Sequence, residues 1–123
     1  MPSMEARPDE FVVSPAVPSG AVTVLRATGR MHAKGAQSLH RQCAELRALG
    51  HQHIAVVLSD VTFVSSSGVG VFLASTEEFR HVGGSFHLVA PSPAVEAVID
   101  LLNLRRFLAI APDVSAVAQT VGS

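Results

Sequence analysis

Residues 56–73 read Val56-Val57-Leu58-Ser59-Asp60-Val61-Thr62-Phe63-Val64-Ser65-Ser66-Ser67-Gly68-Val69-Gly70-Val71-Phe72-Leu73. With the preceding Ile54 and Ala55, the run through Leu58 is almost wholly apolar, as expected of a strand covered on both faces. A helix then starts near Ser66 and ends before Gly83-Gly84, with Val69, Phe72, Leu73 and Phe79 inward at helical spacing. Between strand and helix stand three serines and a glycine. Ser66 or Ser67 is placed to accept hydrogen bonds from the orphan N–H groups of the first turn. Gly68 and Gly70 each cost the helix roughly 1 kcal/mol against alanine, so a packing or contact reason for them is expected. Small residues keep the turn low and let another backbone approach.

Outward from this stretch the same alternation repeats. Ala21-Val22-Thr23-Val24-Leu25-Arg26-Ala27 is a β-branched run closed by Gly29, a strand. A helix follows over about Ala36 to Ala48, with Leu39, Cys43, Leu46 and Leu49 on one face and Gly50 to end it. Phe86 to Val89 is a third strand. Ser92-Pro93 reads as an N-cap followed by proline at the first helical position, with Val95, Val98, Ile99 and Leu102 inward. A short strand near Phe107 to Ile110 and a last helix, capped by Asp113 and carrying Val114, Val117 and Val121, complete the chain. Strand and helix alternating with short connections predict an α/β domain with a mostly parallel mixed sheet of four to five strands and about four helices. Residues 1–19, with Pro2, Pro8, Pro15 and Pro18, form a flexible leader in which Phe11-Val12-Val13 can add an edge strand. Residues 20–123 form the domain.

Composition narrows the function. At 123 residues the chain is one domain, and hydrophobic residues at 48% against 15% charged residues provide a core. The formal net charge is −1, Lys34 is the only lysine, and Arg105-Arg106 is the only arginine pair. No clustered basic face for nucleic acid is visible, and that pair reads as solvated at a helix end. No apolar run approaches the roughly 18 residues of a membrane span, and Met1 to Glu10 is too charged for a signal peptide, so a cytoplasmic location is expected. The single cysteine, Cys43, permits no internal disulfide and falls at a core position.

Enzyme chemistry finds no support at the serine turn. A nucleophile elbow needs glycine two residues before its serine. Gly68-Val69-Gly70 lacks the rest of a dinucleotide fingerprint, and no lysine completes a phosphate loop. The six histidines show no metal-site spacing, and His51-Gln52-His53 lacks evident co-ligands. No metal, cofactor or catalytic activity is expected.

The stretch Val56 to Leu73 resembles the signature of STAS domains in bacterial anti-sigma factor antagonists. The resemblance extends from about Ala21 to Val121. It includes Gly29-Arg30-Met31, the Gly83-Gly84 turn, Leu88-Val89-Ala90-Pro91-Ser92, and Leu101 to Phe107. It implies a single STAS-type fold and a partner switch without catalysis. An unphosphorylated antagonist binds an anti-sigma factor of the serine-kinase type, which then releases its sigma factor; phosphorylation breaks the complex. The resemblance places the phosphorylated residue at Ser66, and the partner surface at Ser65, Ser66, Ser67 and Gly68 with Met31 and His32 of the preceding strand end. Three acids common in the family are replaced: Ser65, Val57 and His32 stand where aspartates are usual. The replacements weaken the local negative field and keep a second reading open, a non-phosphorylated STAS scaffold subunit in a lipid-trafficking or stress-sensing assembly. A third reading is a nucleotide or small-anion module at the helix N-terminus. His32 reads either as a pH-responsive contact or as a solvated loop histidine. The oligomeric state is left open.

Overall fold

The computed structural model describes residues 10–122. Its elements run β1 (Val12–Val13), β2 (Val17–Ser19), β3 (Val22–Met31), α1 (Ala33–Ala48), β4 (His53–Val64), α2 (Ser66–His81), β5 (Ser85–Val89), α3 (Pro93–Leu101), a 3-10 turn (Arg105–Phe107), β6 (Ala109–Ala111) and α4 (Val114–Thr120). The sheet order is β1-β3-β4-β5-β6, with β2 also paired to β3. Strands β3 to β6 are parallel, and β1 and β2 lie antiparallel along the outer edge of β3. The sheet is thus mixed and mostly parallel with four helices, but it has six strands rather than the four to five expected. The additional strands come from residues 12–19: Ser14 binds back to Arg26 through backbone and hydroxyl, and this arm closes the β3 edge. The first nine residues of the expected leader lie outside the described residues.

Because side chains alternate along a strand, the sheet divides its apolar residues between two faces. Leu25, Ala27, Ile54, Val56, Leu58, Phe86 and Leu88 pack under α1, α2 and α3 in the main core. Val22, Ala55, Val57 and Val89 face the other way, onto Val117 of α4. This double cover explains why β4 reads as a continuous apolar run. Ser92 caps α3 by accepting from the Val95 N–H and donates to the Val61 carbonyl, and Asp113 Oδ1 caps α4 from Ala116 N–H at 2.8 Å.

Several boundaries differ from the sequence reading. Strand β3 does not stop before Gly29; it continues to Met31 through two register shifts against β4. Gly29 sits in this irregular stretch with φ +96°, and a Cβ there would lie 2.2 Å from the Glu10 carbonyl oxygen. Strand β4 likewise runs on through Ser59 and Asp60 to Val64. Helix α1 starts at Ala33, three residues earlier than Ala36, and the Phe11 ring packs in the space a side chain at Gly35 would need. Leu49 and Leu102 are 76% and 49% exposed: each is the residue that ends its helix, so the inward spacing stops before reaching it. Phe107 belongs to the 3-10 turn, not to β6.

Candidate functional site

Parallel strands β3 and β4 end side by side and each turns directly into a helix, so α1 and α2 begin at the same edge of the sheet. Met31 pairs with Val64, and the Ser65 N–H donates to the Met31 carbonyl at 2.9 Å. The six residues of the expected partner surface therefore come together. The N-cap of α2 is Ser65, not Ser66 or Ser67: its backbone is extended (φ −81°, ψ 169°) and its Oγ accepts from the Gly68 N–H at 3.2 Å. Ser66 and Ser67, the first two helical residues, are both exposed, and Ser65 is half-buried.

Below the serines the turn is tightly packed. A Cβ on Gly68 would meet Val64 Cγ2 at 2.6 Å and Met31 Sδ at 2.8 Å, whereas one on Gly70 would meet nothing within 4 Å. Met31 is wholly buried and Gly68 is buried. These two support the turn from beneath, and Ser66, Ser67 and His32 are its outward members.

His32 is exposed in the one-residue link between β3 and α1, but it is not alone. It is the N-cap residue of α1, though its side chain makes no capping bond. Its ring lies 4.9 Å from the Phe63 ring, and its Nε2 accepts from Arg30 Nε at 3.5 Å. The Arg30 guanidinium sits 5.0 Å over the same Phe63 ring. Positive charge above an aromatic face is favourable, and the three side chains hold one another in place beside the serines. Sequence reading missed Arg30 and Phe63 as part of this site. They meet because the second register shift, between Gly29 and Arg30, brings Arg30 opposite Phe63 where β3 and β4 resume pairing.

No helix among the described residues is long and apolar enough to cross a membrane, and no group of three metal-ligating side chains occurs among them. Burial pushes the Cys43 thiol up to about 12, with Arg47 pulling it down and Glu78 adding to the rise. Its reactive thiolate is thus suppressed. Arg105 is ion-paired to Glu96 and Asp100, and Arg106 stacks on Phe107.

Comparisons with known proteins agree with this architecture. The model of the STAS domain family matches residues 14–117. A relative from Thermotoga neapolitana, named as an anti-sigma factor antagonist homologue, is 36% identical over 72 residues, 58% of this chain and 64% of its own length. The match thus spans just under two thirds of that relative. The crystal structure of a Thermotoga maritima protein described as an anti-sigma factor antagonist superposes with TM-score 0.80 at 28% identity, covering 89% of this chain and 94% of its own. The anti-sigma factor antagonist SpoIIAA in its unphosphorylated form gives TM-score 0.74 at 23% identity, covering 93% and 98%. The phosphorylated form of Bacillus SpoIIAA gives 0.67 at 21%, covering 90% and 99%. At those identities SpoIIAA speaks for the fold alone. With the family model spanning the sheet and its helices, the chain belongs to the STAS domain family.

Proposed function

We propose that this STAS domain is an anti-sigma factor antagonist: it binds an anti-sigma factor through the serine turn and frees a sigma factor for transcription. In this reading the partner is of the serine-kinase type, Ser66 is the residue it phosphorylates, and the exchange takes place in the cytoplasm, where sigma factors act. No catalysis by this chain is involved. The observation that carries the proposal is the division of labour in the turn: Ser65 caps α2, and the Ser66 hydroxyl stands exposed at the helix N-terminus beside His32. Similarity to relatives named as anti-sigma factor antagonists supports the choice of partner.

A phosphate at Ser66 adds a charge of about −1.5 to −2 and strong acceptor oxygens. The N-terminus of a helix tolerates that charge, so the fold survives. At a packed protein interface the same group must lose its water, and every 1.4 kcal/mol or so of added cost weakens binding about tenfold. The domain can therefore lose its partner without unfolding.

The test is binding of purified chain to each anti-sigma factor encoded in the same genome, using wild type, Ser66→Ala and Ser66→Glu, with modified residues mapped after incubation with partner and ATP. The proposal expects one partner bound by wild type and by Ser66→Ala, loss of at least tenfold with Ser66→Glu, and phosphate on Ser66. Phosphate on Ser67, which is also exposed, would move the switch by one residue. Binding without any modification favours the scaffold reading, for which the replacement of an expected aspartate by Ser65 speaks. No binding to any of them overturns the proposal.

A further inference from the structure

We propose that the cleft between the N-terminal arm and the start of α1 is a binding site for a small organic anion, a carboxylate or phosphomonoester carried on an apolar or aromatic body. The cleft has a volume of about 600 Å³, within the range of small-molecule sites. Its apolar side is made by Phe11 and Val13 of the arm, both half-buried against the core. Its polar side is Arg30, His32, Lys34 and Ser38, all exposed. The floor is Gly35, where the Phe11 ring lies 2.6 Å from the position a Cβ would take, so the cleft's shape depends on that residue.

The charge on the lining points to the ligand class. Arg26, Arg47, Arg80 and Arg105 each meet a carboxylate of this chain. Among the described residues, Arg30 and Lys34 form no such pair, although both border the same concavity. Arg30 is held in position by Phe63 and His32, which reduces the ordering cost of using its remaining N–H donors on a ligand. The first turn of α1 holds no acidic side chain, and His32 does not cap it, so its N–H groups add to the positive field at the cleft. Glu10 also lines the cleft. Among the described residues two cations then stand against one carboxylate, a balance suited to a ligand of low charge rather than a polyphosphate. The apolar wall accounts for the ligand's body, because Phe11 and Val13 offer a surface and inorganic phosphate would leave it unused.

The experiment uses the full chain and needs no partner protein. Isotope-labelled protein is titrated with phenyl phosphate, benzoate, inorganic phosphate and phenol, and backbone amide shifts are followed. Saturable shifts are expected at Lys34, Gly35 and Ser38 with phenyl phosphate and benzoate, several-fold weaker binding with inorganic phosphate, and no saturation with phenol. Arg30→Gln with Lys34→Gln should weaken phenyl phosphate about tenfold or more, the usual scale for losing charge-assisted contacts. Arg41→Gln, an exposed cation elsewhere on α1, should change nothing. The same spectra report whether each variant is folded; if the double variant is not, Lys34→Gln alone carries the test. Shifts that stay linear, that centre on Arg105 and Arg106, or that survive the substitutions overturn the proposal. None of these outcomes bears on the serine turn's protein partner, so the two readings fail separately.

Discussion

Gly68 and Gly70 lie two residues apart near the start of one helix, and alanine should act on them with opposite sign. Helix propensity alone favours alanine at both, by up to about 1 kcal/mol. At Gly70 nothing lies within 4 Å of the new methyl group, so that gain should be realised. At Gly68 the methyl would sit 2.6 Å from Val64 Cγ2 and 2.8 Å from Met31 Sδ. Met31 is flexible but wholly buried, and Val64 is stiff at χ1, so neither can swing into solvent. Overpacking costs roughly 1–3 kcal/mol, and with neither neighbour able to move away the cost falls in the upper part of that range, about 2–3, leaving Gly68→Ala destabilised by about 1–2 kcal/mol net. At about 4 °C per kcal/mol for a chain of this length, Gly68→Ala should lower Tm by roughly 4–8 °C and Gly70→Ala should raise it by roughly 2–4 °C. Urea titration of both variants, in wild type and in a Val64→Ala background, provides the free energies. The clash predicts that Gly68→Ala loses most of its cost once Val64 Cγ2 is gone, a coupling read directly from the double-mutant cycle. An unchanged cost in that background, or a Gly68→Ala protein as stable as wild type, would refute the packing argument.

Other outcomes follow from single contacts. Ser92 is buried and serves both the Val95 N–H and the Val61 carbonyl, so Ser92→Ala should cost about 1–3 kcal/mol in urea denaturation. Ser75 is wholly buried in α2 and its hydroxyl has no hydrogen-bond partner among the described residues; Ser75→Ala should match or exceed wild-type stability by up to about 1 kcal/mol, and a loss would contradict that account. His87 is held below its ordinary value first by burial and then by His53. The unfolded imidazole takes up its proton near pH ~6.5 while the folded one resists, so this part of the stability is intact above that pH and is lost as pH falls below it. His87→Gln should flatten the decline in urea midpoint on that acidic side, and an unaltered slope would exclude His87 as its source. Cys43, buried with its thiol raised to about 12, should react with iodoacetamide only at the rate of unfolding.

The alternation of strands and helices was legible because β4 begins as a continuous apolar run whereas α2 sets its apolar residues at helical spacing. Of the arm strands, β1 falls within Phe11-Val12-Val13, read as able to add an edge strand, whereas β2 was not legible, since three residues hold no period and their pairing depends on distant β3. The apolar run ends at Leu58, yet the backbone stays extended through Ser59 and Asp60 because pairing with the bulged end of β3 outweighs local preference. The serine turn was visible as a helix start, but one residue decided its chemistry. Three consecutive serines offer three candidate caps, and only the backbone angles at the junction select Ser65. Lys34 and Arg30 looked like scattered charges because the cleft they border is completed by Phe11, more than eighteen residues earlier in the chain.

The choice of Ser65 as cap separates the residue that holds α2 from the residues beside it that face solvent. Folding therefore places little constraint on Ser66 and Ser67, and related chains could exchange either residue, or gain and lose a phosphate acceptor there, with almost no effect on the core. A screen that reads melting temperature would pass over such changes. Only an assay of what the surface holds would register them.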